Sequence, residues 1–468
     1  MMKKHISLYR QYIQCFLLAF TILILQSCKK DWLDAKPDKS LVVPTTLQDF
    51  QAILDNTDVF NTNYPGLNEV SSDNYYVTFG NWQNSGSALE RNSYTWSKEL
   101  YAGETYNADW NNSYKRILYT NIAIEGVNKI TSTNQNLNDW NNVKGTALFY
   151  RAFSYYNLSQ LFCKPYEEIS STTDLGLPLR LSSDVNAKLQ RSSIRETYDQ
   201  ILKDLNVAIG LLPESQIYLT RPSKNAVYAL LARVYLGMRD YDKALEYAKL
   251  SLNKNSFLID YNTLQEADNL SFPRFNGEVI FHSEASNYTI IYRSNFNVDT
   301  TLYRTYQNND LRKSLFYTVS GADAIFRGNY SGSNAFFNGL AVDEIMLIRA
   351  ECYARKNMVN RAMEDINTLL KTRWKKNSDG TSEYNELTAS NSLEALKIIL
   401  EERRKELPFR ELRWTDLRRL NSDPNYAITI KRKINNQVYA LSPNDPKYTL
   451  SIPPDEINLS DIVQNKRD

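Results

Sequence analysis

Histidine is nearly absent: His5 and His282 are the only two in 468 residues. That scarcity excludes a multi-histidine zinc site, and Ser-His or Cys-His catalysis would have to run through His282 alone. Neither sign of charge is in excess, with 55 Lys and Arg against 53 Asp and Glu and a formal charge of +2. A basic nucleic-acid surface is therefore not expected. Long apolar runs are missing too. Phe16 to Leu25 spans ten residues, broken by Thr21, where a bilayer span needs about 20. Cysteine is scarce, with four at 15, 28, 163 and 352, and the last two, 189 positions apart, make no disulfide framework by themselves. Glycine-rich phosphate loops, CxxC pairs and G-x-S-x-G turns do not occur. What is present is globular composition, 42% hydrophobic, 23% charged and 12% aromatic, which removes the disordered, collagenous and coiled-coil classes. The length allows about three domains or one large repeat array.

Residues 1–27 read as an address. Lys3, Lys4 and Arg10 form a positive start, the Phe16–Leu25 run suits a secretory core, and Leu25-Gln26-Ser27-Cys28 comes next. This end resembles a bacterial lipoprotein signal, which implies cleavage before Cys28 and acylation of that cysteine. Gln26 departs from the small or aliphatic residue more usual there. Acyl chains bury about 0.8 kcal/mol per methylene, and several would make a stable tether. Removing the leader takes His5, Cys15, three basic residues and no acidic one, so the charge becomes −1. Cys163 and Cys352 remain, and one bridge between them is possible in an oxidising compartment. Cys352 lies within a helical apolar pattern that predicts a buried, inert thiol.

Helical repeats dominate the chain beyond the leader. In residues 225–253, Tyr228, Leu231, Ala232 and Tyr235 share one helix face, and after a turn at 237–240 a second helix carries Ala244, Tyr247, Ala248 and Leu252. This is the tetratricopeptide pattern, with small residues where two antiparallel helices cross. It recurs at 341–370, where Ala350, Tyr353 and Ala362 repeat Ala232, Tyr235 and Ala244, and more loosely at 143–162 with a partner helix at 114–130. Further helices are predicted at 193–212, stopped by Pro213, at 392–406 and at 409–420. Residues 29–112, 255–340 and 421–468 lack this period and read as loops and short strands packed on the scaffold. The expected fold is mainly α, about four helix pairs with long irregular loops on one side. Residues 28–468 form one domain, divided near 254 and 340.

Several stretches resemble the SusD/RagB family of outer-membrane lipoproteins from Bacteroidetes. They are CKKDWLDAKPDKS (28–40), ALFYRAFSYYNLSQLF (147–162), residues 193–215 and 221–252, VDEIMLIRAECYAR (342–355), residues 399–421 and LSIPPDEINLSDIVQN (450–465). They run in the family's order from residue 28 to the end. Pro408-Phe409-Arg410-Glu411 departs from the family's small residue followed by Phe-Glu-Gly, and residues 255–340 show no match. The resemblance implies a non-enzymatic nutrient-binding protein, tethered through Cys28 to the outer membrane and facing outward. It also implies a SusC-type TonB-dependent transporter as partner, and an oligosaccharide or peptide as ligand. Two rivals stand beside it: a periplasm-facing repeat adaptor in envelope assembly, and a glycan-cleaving surface enzyme.

Candidate chemistry is sparse. On a helix Glu401 would face Arg404 and Lys405, and the cluster to Glu406 reads as a structural ion network with Arg413, Asp416 and Arg418. Residues 375–386 approach a calcium loop, but Lys375 stands where the first carboxylate ligand belongs. No catalytic residue, metal or cofactor is expected. The aromatics carry the binding hypothesis. Trp82, Trp96, Trp110, Tyr75, Tyr76 and Tyr101 sit outside any amphipathic pattern, among Asp73, Asn74, Asn81 and Asn84. A flat ring against a sugar face, with amides and carboxylates reaching its hydroxyls, is a recipe for glycan capture. Trp82, Trp96, Asp73, Asn74, Tyr75 and Tyr101 are the expected ligand contacts, with Tyr288, Tyr292 and Tyr303 next in line.

Overall fold

The computed structural model describes residues 43–266 and 270–468; the leader and Cys28 lie outside the described residues. Eight long helices form the scaffold: α1 (Ala108–Asn128), α2 (Leu137–Phe162), α3 (Ile194–Leu211), α4 (Lys224–Met238), α5 (Tyr241–Lys254), α6 (Val342–Arg355), α7 (Val359–Lys371) and α8 (Ser392–Glu406). Most begin on a side chain suited to the task. Asn107 accepts from the Trp110 N–H, Ser193 and Glu196 close a capping box on α3, and Ser223, Asp240 and Asn391 cap α4, α5 and α8. α3 ends where Leu212 turns extended ahead of Pro213.

Neighbouring helices stack in sequence. α2 packs on both α1 and α3, α4 on α5, α5 on α6, and α6 on α7 and α8. This is the mainly α, tetratricopeptide-like scaffold expected. α2 is its axis, buried on every face from Gly145 to Phe162. Small residues set the close crossings: Ala232, Ala244, Ala350 and Ala362 are all fully buried. Gly126 of α1 admits the Phe50 ring so closely that a Cβ there would sit 1.9 Å from Phe50 Cζ.

Two expectations are corrected. Residues 47–94 are not mainly loop: they hold five short helices, Leu47–Leu54, Thr57–Phe60, Leu67–Ser71, Phe79–Gln83 and Ala88–Tyr94. Each is too brief for a 3.6-residue period to register in a window of 11–18 residues. The helix expected from 409 starts instead at Arg413 and runs to Leu420, because Phe409 and Glu411 take left-handed φ values of 57° and 59°. Strands occur among the described residues only as five antiparallel pairs. Tyr75–Tyr76 pairs with Asn297–Val298, and Val279–Phe281 with Leu340–Ala341. These pairs stitch the 255–340 segment to the rest. No described helix is long and apolar enough to cross a membrane. Residues 46–468 make one compact unit.

The ion network is deeper than the sequence implied. Arg312 reaches Asp310 and Glu402, each at 2.7 Å, and Glu406 at 2.9 Å, and Arg373 joins Glu406 to Glu278. The side chains of Arg312, Arg373, Asp310 and Glu406 are fully buried. Lys405 pairs with Glu402 and Asp310 rather than Glu401, because α8 turns that face inward. Asp416 bonds Arg403 and Arg419, each at 2.8 Å. Arg413 pairs with Asp73, and Arg418 donates to the carbonyls of Gln160 and Cys163. Breaking such buried pairs by removing one partner costs about 3–5 kcal/mol.

Candidate ligand-binding surface

Four of the six expected ligand contacts belong to the interior. Trp96 is 3% exposed and its indole N–H donates to the Ser71 carbonyl at 3.0 Å. The Arg432 guanidinium lies 4.8 Å from its ring centroid, 3.8 Å from that of Tyr94 and 5.1 Å from that of Tyr75. The same guanidinium donates to the carbonyls of Val70, Tyr94 and Ser72. The ring faces that a sugar would need are thus occupied by the chain's own cation, delivered by the strand Ile430–Ile434. Tyr75 is 2% exposed, with its hydroxyl on the Val70 carbonyl. Asn74 donates to buried Glu69 at 2.8 Å. Tyr101 donates to the Ser451 carbonyl and accepts from Asn107. Trp110 is interior too, edge-on to Phe162. These aromatics lack a helical partner pattern because most of their partners lie far away along the chain.

Asp73 is an anchor rather than a free carboxylate. Arg413 grips it at 2.6 and 2.9 Å, and Arg404 at 3.2 Å. Burial pushes its pKa up, but the two guanidiniums outweigh burial and hold it well below the usual carboxylate range. Glu69 nearby has no cation of its own, and burial raises its pKa to about 7 against hydrogen bonds from Asn74 and Ser72.

Trp82 is different. It is half-buried on the short helix Phe79–Gln83, and its indole N–H donates to the Arg91 carbonyl at 3.2 Å. Phe79 stacks near-parallel to it, with centroids 6.0 Å apart and planes 22° from each other. Phe79 is 41% exposed, so the pair forms a rigid, partly open aromatic ledge. Thr78 caps the helix and Asn81 ties it to the Asn295 carbonyl at 2.8 Å. That turn also carries Tyr292, 47% exposed, and the side chains of Gln83 and Asn84 are open beside the ledge. Tyr76, half-buried, donates to Asp323 at 2.6 Å. Tyr288 is buried and bonded to Asp109, and Tyr303 lies under Lys313. Sequence reasoning missed Phe79, although a cap followed by aromatics three apart, Thr78-Phe79-Gly80-Asn81-Trp82, places both rings on one face.

Other chemistry is structural. His282 is fully buried between Glu284 and Arg274. Cys163 and Cys352 are free, buried thiols. Among the described residues no group of His, Cys, Asp or Glu is placed to hold a metal ion. Residues 376–382 form a small exposed hairpin around Gly380.

The fold defines a class: a tetratricopeptide-like scaffold carrying long aromatic loops. Residues 31–236 match the family model described as starch-binding associating with outer membrane, and residues 254–466 match that of the SusD family. The chain belongs to the SusD/RagB family. SusD-like protein P2 of Formosa agariphila is 24% identical over 456 residues, spanning 82% of this chain and 84% of that protein. A SusD superfamily protein of Bacteroides thetaiotaomicron superposes with a TM-score of 0.69 at 23% identity, over 90% of this chain and 100% of the other. A SusD-like carbohydrate binding protein of Bacteroides vulgatus gives 0.64 at 19% identity, over 91% and 97%.

Proposed function

We propose that this protein captures oligosaccharides at the cell surface without cleaving them, and passes them to a SusC-type TonB-dependent transporter. Cys28 supplies the lipid tether to the outer membrane, facing outward. The observation that carries the reading is the Phe79–Trp82 ledge. It offers two stacked rings, fixed by a cap and by Asn81, with the open amides of Gln83 and Asn84 beside them. Rings of this kind take the apolar face of a pyranose, and amides take its hydroxyls. Family membership supports a glycan over a peptide, since the matched model is described as starch-binding. The test is calorimetry of Phe79→Ala and Trp82→Ala against a neutral glycan panel, with peptides as controls. A five- to thirty-fold loss of affinity, about 1–2 kcal/mol, is expected with melting temperature little changed. Full retention of affinity in both variants would remove the ledge from the site.

A further inference from the structure

A cavity of about 580 Å³ lies between the second half of α8, the end of α7 with the loop that follows it, and the short helix Thr300–Arg304. Its lining shares no residue with the Phe79–Trp82 ledge. The volume falls within the ~300–1,000 Å³ of small-molecule sites.

Two aromatic side chains form one wall, and each is fixed from behind. Trp374 and Tyr384 are half-buried, with ring centroids 5.5 Å apart and planes 53° from each other. Trp374 pairs with Asp310 through a main-chain bridge, and its carbonyl accepts from the Asn262 amide at 2.9 Å. The Tyr384 hydroxyl donates to Asn367 Oδ1 at 2.5 Å. The same amide accepts from the Leu387 N–H at 2.9 Å and donates to the Leu387 carbonyl at 3.0 Å. Asn367 is 8% exposed, so α7 holds this loop in place before any ligand arrives. Buried Leu302 and Leu370, with half-buried Ile398, complete the apolar lining.

The polar groups divide into two kinds. Both cations on the wall are already matched: Arg404 faces Asp73 at 3.2 Å and Asp299 at 3.6 Å, and Lys405 faces Glu402 at 2.8 Å and Asp310 at 3.3 Å. Gln307, Asn385 and Glu401 are instead exposed, and their side chains make no hydrogen bond or ion pair among the described residues. The two amides offer donors as well as acceptors, and the carboxylate accepts. An acidic ligand would find no unmatched cation on this wall and would be repelled by Glu401.

We propose that this cavity is a second saccharide site, independent of the Phe79–Trp82 ledge and selective for neutral sugar units. The apolar face of a pyranose rests on the Trp374–Tyr384 wall, and its hydroxyls meet Gln307, Asn385 and Glu401. Fixed rings and open amides around a concave space are the combination such a ligand requires.

The experiment is calorimetry of the full chain with maltotriose, cellotriose and mannotriose, with digalacturonate as acidic control and trialanine as charged-terminus control. It is run on the parent and on a Phe79→Ala/Trp82→Ala background that lacks the ledge. On that background at least one neutral trisaccharide is expected to bind, about ten-fold or more tighter than either control. Trp374→Leu should weaken it about ten-fold. Gln307→Ala, Asn385→Ala and Glu401→Ala should each weaken it about three-fold or more. These three side chains are exposed, so melting temperature should hold and the test does not depend on the tryptophan variant folding. No binding of any neutral trisaccharide on the background, equal affinity for either control, or full affinity in all three rim variants would each overturn the proposal. Binding by the parent but not by the background would do so while leaving the ledge in place. Affinity undiminished from parent to background would count against the ledge instead and leave this site standing.

Discussion

The backbone N–H of Glu69 donates to Glu411 Oε2 at 3.0 Å, joining two buried glutamates 342 positions apart. Among the described residues neither forms an ion pair. Burial, then the charge of the other, raises Glu411 well above the carboxylate range, with Asp109 contributing, while burial raises Glu69 to about 7. Asp109, also buried, is raised to about 6.

This trio sets a pH dependence. All three pKa values exceed those of the unfolded chain, so the folded state holds more protons. Their contribution to stability is complete below about pH 3.8, the ordinary value of Asp109, and is lost as pH rises toward 7 and beyond. Asp73, held low by Arg413 and Arg404, acts in the opposite sense and loses its contribution as pH falls below about 3.8. Maximum stability is therefore expected in mild acid. Glu411→Gln keeps an acceptor for the Glu69 N–H and removes one titrating group. It should be more stable than the parent at pH 8, with the advantage shrinking steadily as pH falls to 4.5. Thermal melts at both pH values test this; parallel profiles would sink it.

Trp82 and Trp96 should separate by assay. Trp96→Ala empties one side of the Arg432 cage and should cost about 3–5 kcal/mol of stability. Glycan affinity of the folded fraction should persist. Trp82→Ala should show the reverse. Melting curves beside calorimetry decide it, and an Arg432→Met variant should mimic Trp96→Ala in stability alone.

Ala232 and Ala350 are fully buried at helix crossings. Leucine at either position overpacks the crossing and should cost about 1–3 kcal/mol. Unchanged urea midpoints in both variants would mean the crossings yield more easily than their packing implies.

The proposed acyl tether at Cys28 predicts that Cys28→Ala leaves the outer-membrane fraction. Cell fractionation in high salt reads the result. Continued sedimentation with the outer membrane would require another attachment.

The helical scaffold was legible because its signals are local. Ala232, Tyr235 and Ala244 repeat at Ala350, Tyr353 and Ala362, and Ser193 with Glu196 announces a helix before any packing is known. The candidate site was legible only in part, for the opposite reason. Trp96 and Tyr75 look unpartnered in sequence because Arg432, which fills the space between them, is more than 330 positions away. Trp82 looks the same in sequence and is half open. Nothing in the local sequence separates the two cases, whereas burial does so at once. The cluster on α8 shows a related limit. Helical spacing pairs Glu401 with Lys405, but Arg312 and Asp310, contributed from another segment, draw Lys405 and Glu402 inward.

The strand pair that joins Tyr75–Tyr76 to Asn297–Val298 has a bearing on assembly order. Residues 47–101 are made early, yet they rest on Asn295, Glu411, Arg432 and Ser451, which are made late. Contacts of such sequence separation form slowly. The aromatic ledge itself is tied to Asn295, so its setting cannot be completed until the chain has been made past that residue. The part of the molecule proposed to meet the ligand is therefore not settled when its own residues are made.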